Sequence, residues 1–488
     1  MDFKGKNVLV YGTGLSGIAA ARLLGKLGAN VFIYDEVSKK YDELMDAFSN
    51  GAEGLDKLGD DDKGIDEFEN DAKDFDDCGK ESIRLEECRK TLDFHFGEFP
   101  MEWIEKLDLA VLSPGVPLDI PQVEHLIEGN IPIWGEVELA YHVGKGKVLA
   151  ITGTNGKTTT TALLGEIMKA YHQETYVVGN IGKPYTDIAL ETTENSIIVA
   201  ETSSFQLETI HQFKPYVSSI LNITPDHLDR HKTMELYIAA KEKIAKNQDE
   251  EDYCILNYDN DNSRNFAPFV KAKPIFFSRK ESLEKGVYIK SGNIIVDLGT
   301  EEVCCSVSEL NVLGEHNLEN VLAAVAMAAV FGVPIAKIRE SIIEFKGVAH
   351  RIEFVLEKDG VVYYNDSKGT NPDAAIKGVQ AMNRPTVLIA GGYDKEADYE
   401  EWIQSFGDKV KKLVLVGETK ENIANEAKRL GFYEIILTDI FEEAVKTGIQ
   451  ETKPGDALLL SPACASWGMF KNYEERGDRF KELVLELT

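Results

Sequence analysis

VLAITGTNGKTT, residues 148–159, reads as an apolar strand, a glycine turn and the polar start of a helix. A phosphate group fits this order, because glycines let backbone N–H groups point inward and a helix N-terminus adds positive potential. Lys157 can neutralise nucleotide phosphate oxygens and Thr158 can ligate Mg²⁺. The match to G-x-x-x-x-G-K-[ST] is imperfect, since Ile151 stands where the first glycine would be. An ordinary glycine-rich turn is the alternative, and we interpret the stretch as an ATP phosphate loop.

Strands and helices alternate on both sides of this loop. Helices are predicted over 157–171 and 235–247, with apolar strands at 197–200 and 217–222. After a boundary near Lys346-Gly347 the alternation restarts, with strands predicted at 386–390, 412–416, 435–437 and 457–460. Alternation predicts mostly parallel sheets covered on both faces. We therefore predict an α/β protein of three domains, spanning 1–145, 146–346 and 347–488. N- and C-terminal Rossmann-like doubly wound sheets are expected to flank a central P-loop ATPase-like domain.

The N-terminus carries a second glycine pattern between two predicted strands. Gly12, Gly14 and Gly17 match G-x-G-x-x-G, and Asp35 follows at close to the expected spacing. Taken alone, the pattern fits an NAD site, the diphosphate of another nucleotide, or close packing of a helix on a strand. These three readings stay open at this point.

Two predicted strands of the central region end in residues that suit a metal site. Glu201 follows one apolar strand and could hold Mg²⁺ or face solvent. His227 follows the next strand and could be a metal ligand or a surface histidine. Lys241 lies on a predicted helix and would ordinarily be a solvated lysine.

Charge excludes some classes of partner. Lys and Arg total 53 against 83 Asp and Glu, a formal net charge of −30. A chain this acidic repels nucleic acid and anionic membranes, so we expect neither as a partner. An acidic stretch of low hydrophobicity, from about 50 to 88, is interpreted as a solvated insertion in the first domain. Without a signal-peptide pattern or a long apolar segment, a cytoplasmic location is expected.

The C-terminal third holds polar strings at predicted strand ends, where α/β sheets bind ligands. They are NDSKGTN (365–371), SPACAS (461–466) and GGYDK (391–395). The residues alone indicate anion-binding loops.

Together these strings resemble the Mur ligase family. GTNGKTTT, ETSSFQLE, NITPDHLDRH, IAAKEKI, LGEHNLENVLAA, HRIE, NDSKGTN and SPACAS occur in family order over the whole chain except the acidic stretch. SPACAS and the N-terminal GTGLSG point to the branch that adds D-glutamate. The resemblance implies an acid–D-amino-acid ligase of peptidoglycan precursor synthesis. Such an enzyme joins D-glutamate to UDP-N-acetylmuramoyl-L-alanine, with ATP as co-substrate and an acyl phosphate as intermediate. A monomer is expected.

The resemblance also implies roles for single residues. Catalysis is expected from Lys157, His227 and Lys241, with Lys241 carbamylated. Two Mg²⁺ sites are expected on Thr158, Glu201, His227 and the carbamate. The implied ATP contacts are Gly153, Thr154, Asn155, Gly156, Lys157, Thr158, Thr159, Asn320, Arg351 and Asp366. The implied UDP-sugar contacts are Leu15, Ser16, Asp35, Asn180 and Ser203. The implied D-glutamate contacts are Lys368, Thr370, Lys395, Ser466 and Tyr473.

Three departures from the family pattern are the acidic stretch, Gly468 and the pair Glu36-Val37. Among competing readings, a dehydrogenase would explain the first glycine pattern but not Lys157. An ATP-driven binding module would explain the phosphate loop but not two further ligand-bearing domains. A different Mur ligase or a folylpolyglutamate synthase would share the centre but not SPACAS.

Overall fold

A computed structural model describes residues 2–36, 92–180, 182–312, 314–393 and 397–487. The acidic stretch near 50–88, Val37 and Lys395 lie outside these residues. The chain divides into two units. The first comprises Met1–Lys157 with Met168–Phe276, and the second comprises Thr158–Ile167 with Phe277–Thr488. The three domain ranges predicted from the sequence stay a prediction.

The first unit begins with a parallel sheet in the order β3-β2-β1-β4-β5. Its strands are β1 (Asn7–Tyr11), β2 (Asn30–Asp35), β3 (Leu92–Phe96), β4 (Leu109–Leu112) and β5 (Ile133–Gly135). Its helices are α1 (Leu15–Lys26), α2 (Pro121–Glu128) and α3 (Glu136–Val143). The core residues of β1 and β4 are buried because helices cover a parallel sheet on both faces. This arrangement agrees with the predicted Rossmann-like pattern.

The same unit holds the parallel strands that carry the phosphate loop, in the order β10-β9-β6-β8-β7. They are β6 (Lys147–Thr152), β7 (Thr175–Gly179), β8 (Ile197–Glu201), β9 (Val217–Ile220) and β10 (Tyr253–Asn257). The helices of this region are α4 (Lys157–Tyr171), α5 (Tyr185–Ile188), α6 (Ser204–Glu208), α7 (Leu228–His231), α8 (Met234–Glu242) and α9 (Asp261–Phe266). Residues 158–167 of α4 belong to the second unit. Helix α4 has the predicted bounds, whereas the helix predicted over 235–247 ends early as α8, followed by a 3-10 turn.

After β11 (Lys273–Ser278), the second unit contains an antiparallel meander absent from the predictions. Its strands are β12 (Gly286–Lys290), β13 (Asn293–Asp297) and β14 (Glu301–Ser306), followed by helices α10 (Glu315–Phe331) and α11 (Ile335–Glu344). The sequence shows why the meander forms, since Ser291-Gly292 makes a two-residue turn in which both residues have positive φ.

The C-terminal sheet has the order β15-β16-β20-β17-β18-β19 and is parallel except for β15. Its strands are β15 (Glu353–Lys358), β16 (Val361–Asn365), β17 (Thr386–Ala390), β18 (Val410–Leu415), β19 (Ile435–Leu437) and β20 (Ala457–Leu460). Its helices are α12 (Pro372–Ala381), α13 (Glu400–Gln404), α14 (Lys420–Arg429), α15 (Phe441–Glu451) and α16 (Tyr473–Leu487). Both ligand strings, NDSKGTN and SPACAS, follow the adjacent central strands β16 and β20.

None of the helices in the described ranges has the length and apolar character needed to span a bilayer.

Candidate active site

The phosphate loop connects β6 to α4 with the geometry expected for an anion site. Gly156 is the N-cap of α4 and has φ 85°, a left-handed conformation that glycine adopts without strain. Asn222, at the end of β9, fixes the loop, since its carbonyl accepts from the Thr154 N–H and its Oδ1 accepts from the Asn155 N–H, both at 2.9 Å. The loop is therefore held by a neighbouring strand end.

Two lysines converge on one carbonyl of this loop. Lys157 Nζ donates to Gly153 O at 2.9 Å and to Thr154 O at 3.0 Å. Lys241 Nζ, from helix α8, donates to the same Gly153 O at 2.8 Å. The structure thus brings together two of the predicted catalytic residues, which are separated by 84 positions in the sequence. Thr158 and Thr159, both predicted ATP contacts, lie in the first turn of α4.

Lys241 is buried, with 1% of its surface exposed, so the solvated-lysine reading is wrong. Its Nζ lies 4.7 Å from the ring centroid of the fully buried Tyr237, one helical turn earlier on α8. Burial lowers the pKa of Lys241 to about 7, the Lys157 charge acts in the same direction, and Asp226 acts against both. An amine with this pKa is partly neutral at physiological pH.

Glu201 ends β8 and is buried, with 2% exposed, so it does not face solvent. Its Oε1 accepts from Asn180 Nδ2 at 2.9 Å, which brings a predicted metal ligand beside a predicted UDP-sugar contact. Its Oε2 is buried and has no hydrogen-bond partner. A buried, unpaired carboxylate oxygen is costly, and a hard cation such as Mg²⁺ would satisfy it. This donor fits the expected metal.

His227 is exposed, and its Nε2 lies 3.5 Å from Asp226 Oδ2. Its φ of 51° makes it the left-handed N-cap of α7. Across the described residues, no three His, Cys, Asp or Glu side chains come together as a metal cage. Mg²⁺ at a nucleotide site takes most of its ligands from phosphate oxygens and water, so two protein donors are compatible with it.

Helix α7, which His227 caps, is anchored by residues that the sequence analysis did not single out. Arg230 Nη2 donates to Glu208 Oε2 at 2.8 Å and to Val116 O at 2.9 Å, and its guanidinium lies 5.0 Å from the Phe205 ring centroid. His231 Nε2 contacts Ser204 Oγ at 2.9 Å. Both residues belong to the polar string NITPDHLDRH, whose concentration of His and Arg is the sequence signal for this anchoring.

At the first glycine pattern, Asp35 and the glycine turn contact each other directly. Asp35 Oδ2 accepts from Thr13 N–H at 2.7 Å and from Thr13 Oγ1 at 2.6 Å. A side chain at Gly17 would place its Cβ 1.8 Å from Gly12 O, so this glycine is required for close packing. Leu15, in the first turn of α1, is exposed, and Ser16 beside it is half-buried. Glu36, one of the departures from the family pattern, accepts a hydrogen bond from Tyr11 Oη at its Oε1, at 2.6 Å.

Ser203, a predicted UDP-sugar contact, also has a structural role as the N-cap of α6. It caps α6, since its Oγ accepts from the Gln206 N–H at 3.2 Å and its own N–H donates to Gln206 Oε1 at 2.9 Å. The spacing Ser-x-x-Gln is a local capping-box signature that could have been found in the sequence.

In the second unit, the predicted ATP contacts differ in exposure. Asn320 is buried on α10 and its Nδ2 donates to Asn317 Oδ1 at 3.1 Å, whereas Arg351 is exposed. Asp366 is buried after β16, and its Oδ2 accepts from Ser461 Oγ at 2.7 Å. Burial raises the pKa of Asp366 to about 7, although that hydrogen bond and one from the Ile352 N–H lower it.

The predicted D-glutamate residues lie on the strings after β16 and β20 and at the start of α16. Lys368 Nζ lies 5.3 Å from the ring centroid of Tyr473, Thr370 is half-buried two residues later, and Ser466 is buried in SPACAS. Lys395 lies outside the described residues. Gly468 has φ 81°, a left-handed conformation that glycine adopts without strain and that Asp tolerates better than most other residues.

Comparison with known proteins supplies the decisive observation. A Lachnoclostridium phytofermentans protein named UDP-N-acetylmuramoylalanine--D-glutamate ligase is 50% identical over 491 residues, which cover 99% of each chain. The chain belongs to the Mur ligase family. Its domains match the Mur ligase MurD-like N-terminal domain over residues 75–135, the Mur ligase middle domain over 151–328 and the Mur ligase glutamate ligase domain over 350–464.

Two further relatives, also named as UDP-N-acetylmuramoylalanine--D-glutamate ligases, bear on the acidic stretch. The Lachnospira eligens protein is 47% identical over 488 residues, and the Clostridioides difficile protein is 43% identical over 489 residues, with 100% of each chain covered. Alignments that span both whole chains show that these Mur ligases have the same overall length. The stretch near 50–88 therefore adds no length beyond what these relatives have.

Solved structures confirm the three-domain α/β fold of the Mur ligases. UDP-N-acetylmuramate-alanine ligase MurC from Thermotoga maritima has a TM-score of 0.55 at 18% identity, covering 99% of this chain and 100% of that one. MurF from Acinetobacter baumannii has a TM-score of 0.53 at 19% identity, covering 79% and 86%. The dehydrogenase alternative is set aside by the full-length relatives named as ligases, at 43–50% identity.

Proposed function

We propose that this Mur ligase joins D-glutamate to UDP-N-acetylmuramoyl-L-alanine at the expense of ATP. The observation that carries the proposal is the full-length identity of 43–50% with proteins that share this ligase name. The phosphate loop from Gly153 to Thr159, with Lys157 at the start of α4, supports ATP use. The paired cations and hydroxyls of the C-terminal strings suit a dicarboxylate amine.

The chemistry follows from the poor reactivity of a carboxylate. An oxygen of the alanine carboxylate attacks the γ-phosphorus of ATP, ADP leaves, and an acyl phosphate forms. The D-glutamate amine then attacks the acyl carbon and loses a proton. Phosphate leaves as the bond between the acyl carbon and the phosphate oxygen breaks. Lys157 and the backbone N–H groups of the loop hold the transferring phosphoryl group and offset its charge.

Glu201 and Thr158 would hold one Mg²⁺, and His227 with a carbamate on Lys241 would hold a second. Bound Mg²⁺ supplies charge stabilisation for phosphoryl transfer. Asn320, Arg351 and Asp366 are proposed to bind the nucleotide, and Leu15, Ser16, Asp35, Asn180 and Ser203 the UDP-sugar. Lys368, Thr370, Lys395, Ser466 and Tyr473 are proposed to bind D-glutamate.

An ADP-release assay tests the function. We expect ADP release that requires both UDP-N-acetylmuramoyl-L-alanine and D-glutamate, with no change in NAD(P)H absorbance. ADP release that is indifferent to both substrates would instead favour an ATP-driven binding module.

The preferred amine provides a first prediction. Because two carboxylates need two anion contacts, D-glutamate should be ligated at least about 100-fold faster than L-lysine or diaminopimelate at equal concentration. Competition among the three amines, with products resolved by mass spectrometry, measures this preference. Faster ligation of L-lysine or diaminopimelate would assign the chain to a different branch of the family.

Glu201→Gln provides a second prediction. Glutamine keeps the acceptor for Asn180 but removes the charge at the unpaired Oε2, so the Mg²⁺ concentration for half-maximal activity should rise about tenfold or more. Thermal stability should not fall, because the variant no longer buries an uncompensated charge. Glu194→Gln, at a carboxylate with 81% of its side chain exposed, is the matched control. An unchanged Mg²⁺ dependence in Glu201→Gln would remove this residue from the metal site.

A further inference from the structure

Arg476 is a buried cation beneath the two C-terminal ligand strings. It lies in the first turn of α16, and only 1% of its surface is exposed, although arginine is rarely buried to this extent. It was not among the residues expected to touch any substrate. Its neighbours on the helix differ, since Arg479 is part-exposed and pairs with Glu442 and Glu482.

The guanidinium of Arg476 connects the two strings directly. Its Nε donates to Ser367 Oγ at 2.9 Å, and its Nη2 donates to Ser367 O at 2.8 Å, both in NDSKGTN. Its Nη1 donates to Cys464 O at 3.1 Å, in SPACAS. Ser367 Oγ in turn donates to Tyr473 O at 2.8 Å, so the start of α16 joins the same network.

This geometry uses the particular shape of arginine. Three donors of one rigid, planar fork fix the distance and the angle between two loops, which a single ammonium cannot do. The three acceptors are neutral oxygens, and the guanidinium also interacts electrostatically with the buried Asp366. Desolvating a buried charge is costly, and a packing role alone would not require it.

The loops that Arg476 joins carry the proposed D-glutamate contacts. Ser367 precedes Lys368 and lies three residues before Thr370, whereas Cys464 lies two residues before Ser466. Any slip between the two strings would therefore change the spacing of the groups that meet the two carboxylates.

We propose that Arg476 is a positioning residue for the amine substrate. It fixes the distance and angle between NDSKGTN and SPACAS, so that their side chains meet the two carboxylates of D-glutamate. This inference rests on the proposed function and goes beyond it, because it assigns amine selectivity to a residue that does not touch the substrate. Asp366, the proposed nucleotide contact in NDSKGTN, has its own hydrogen bond from Ser461 of SPACAS, so acyl-phosphate formation should depend less on Arg476 than the D-glutamate step does.

The test separates the two half-reactions in Arg476→Lys and Arg476→Met. We expect the KM for D-glutamate to rise about tenfold in Arg476→Lys, because lysine keeps the charge but not the planar fork of donors. The rise should be larger in Arg476→Met, because methionine donates no hydrogen bond. The KM values for ATP and for the UDP-sugar should stay within about twofold. ADP release with hydroxylamine, which traps the acyl phosphate without the D-glutamate site, should also stay within about twofold.

Matched variants keep the inference falsifiable. Arg479→Met, on the same helix but part-exposed, should leave the KM for D-glutamate unchanged. If the Arg476 variants do not fold, Ser367→Ala removes the hydroxyl that accepts from Arg476 Nε and should raise the KM for D-glutamate about threefold. The KM values for ATP and for the UDP-sugar should again stay unchanged. The inference fails if a folded Arg476 variant, or Ser367→Ala, keeps the wild-type KM for D-glutamate. It also fails if the hydroxylamine reaction falls as far as ligation does. Wild-type protein without D-glutamate-dependent ADP release would instead refute the proposed function.

Discussion

Lys157→Ala should lose at least about 100-fold in kcat while the protein stays folded, because it removes the cation that offsets charge in phosphoryl transfer. The side chain is half-buried at the start of α4, and its present acceptors are the carbonyls of its own loop, Gly153 and Thr154. These two bonds lie within one loop, so their loss should not disturb the strand and helix on either side of it.

Steady-state ADP release and thermal unfolding measure this outcome together. Lys169→Ala, at an exposed position in the last turn of the same helix, is the control and should have wild-type turnover. Turnover of Lys157→Ala within about threefold of wild type would show that the loop does not bind the reacting phosphate.

Lys241→Ala should lose nearly all activity, because the proposed function requires this residue as an anionic carbamate. CO₂ reacts with a neutral amine, and an ordinary lysine at pH 7 is neutral in only about one molecule in three thousand. Burial lowers the pKa of Lys241 to about 7, which makes a large neutral fraction available. Raising the pH from 6 to 8 should increase that fraction from roughly a tenth to roughly nine tenths, so carbamate formation should increase over the same range.

Two measurements check the carbamate itself. Protein incubated with ¹³C-labelled bicarbonate should show a carbamate resonance that Lys241→Ala lacks. Acetate should restore part of the activity of Lys241→Ala by filling the vacated ligand position. Lys246→Ala, at an exposed position five residues later, should retain the resonance and the activity. A fully active Lys241→Ala without added carboxylate would refute the role.

The two lysines differ in how well the sequence identified them. Lys157 lies in a local pattern of strand, glycine turn and helix, and the predicted helix over 157–171 has the bounds of α4. Lys241 lies on a predicted helix, where a lysine is ordinarily solvated, although Ile238 and Ala245 on the same helical face favour an inward orientation. Its catalytic role was predicted from the family resemblance. The structure shows its burial and its bond to Gly153 O, but the carbamate stays a prediction.

The same division applies to the fold. The continuous apolar strands were predicted with nearly correct bounds. The strands over 386–390, 435–437 and 457–460 begin and end at the predicted residues. The antiparallel meander of β12, β13 and β14 was missed, because its short strands mix polar and apolar residues and carry weak periodicity. Its tight turn at Ser291-Gly292 was the local signal that could have revealed it.

By itself the sequence determined the alternation of strands and helices, the phosphate loop and the family, because each is encoded by residues close together in the chain. The tertiary structure alone decided which polar side chains are buried and what they contact. Lys241 reaches Gly153 across 88 positions, and Arg476 reaches Ser367 across 109. Local periodicity carries no information about such contacts, since burial depends on how distant strands and helices pack together.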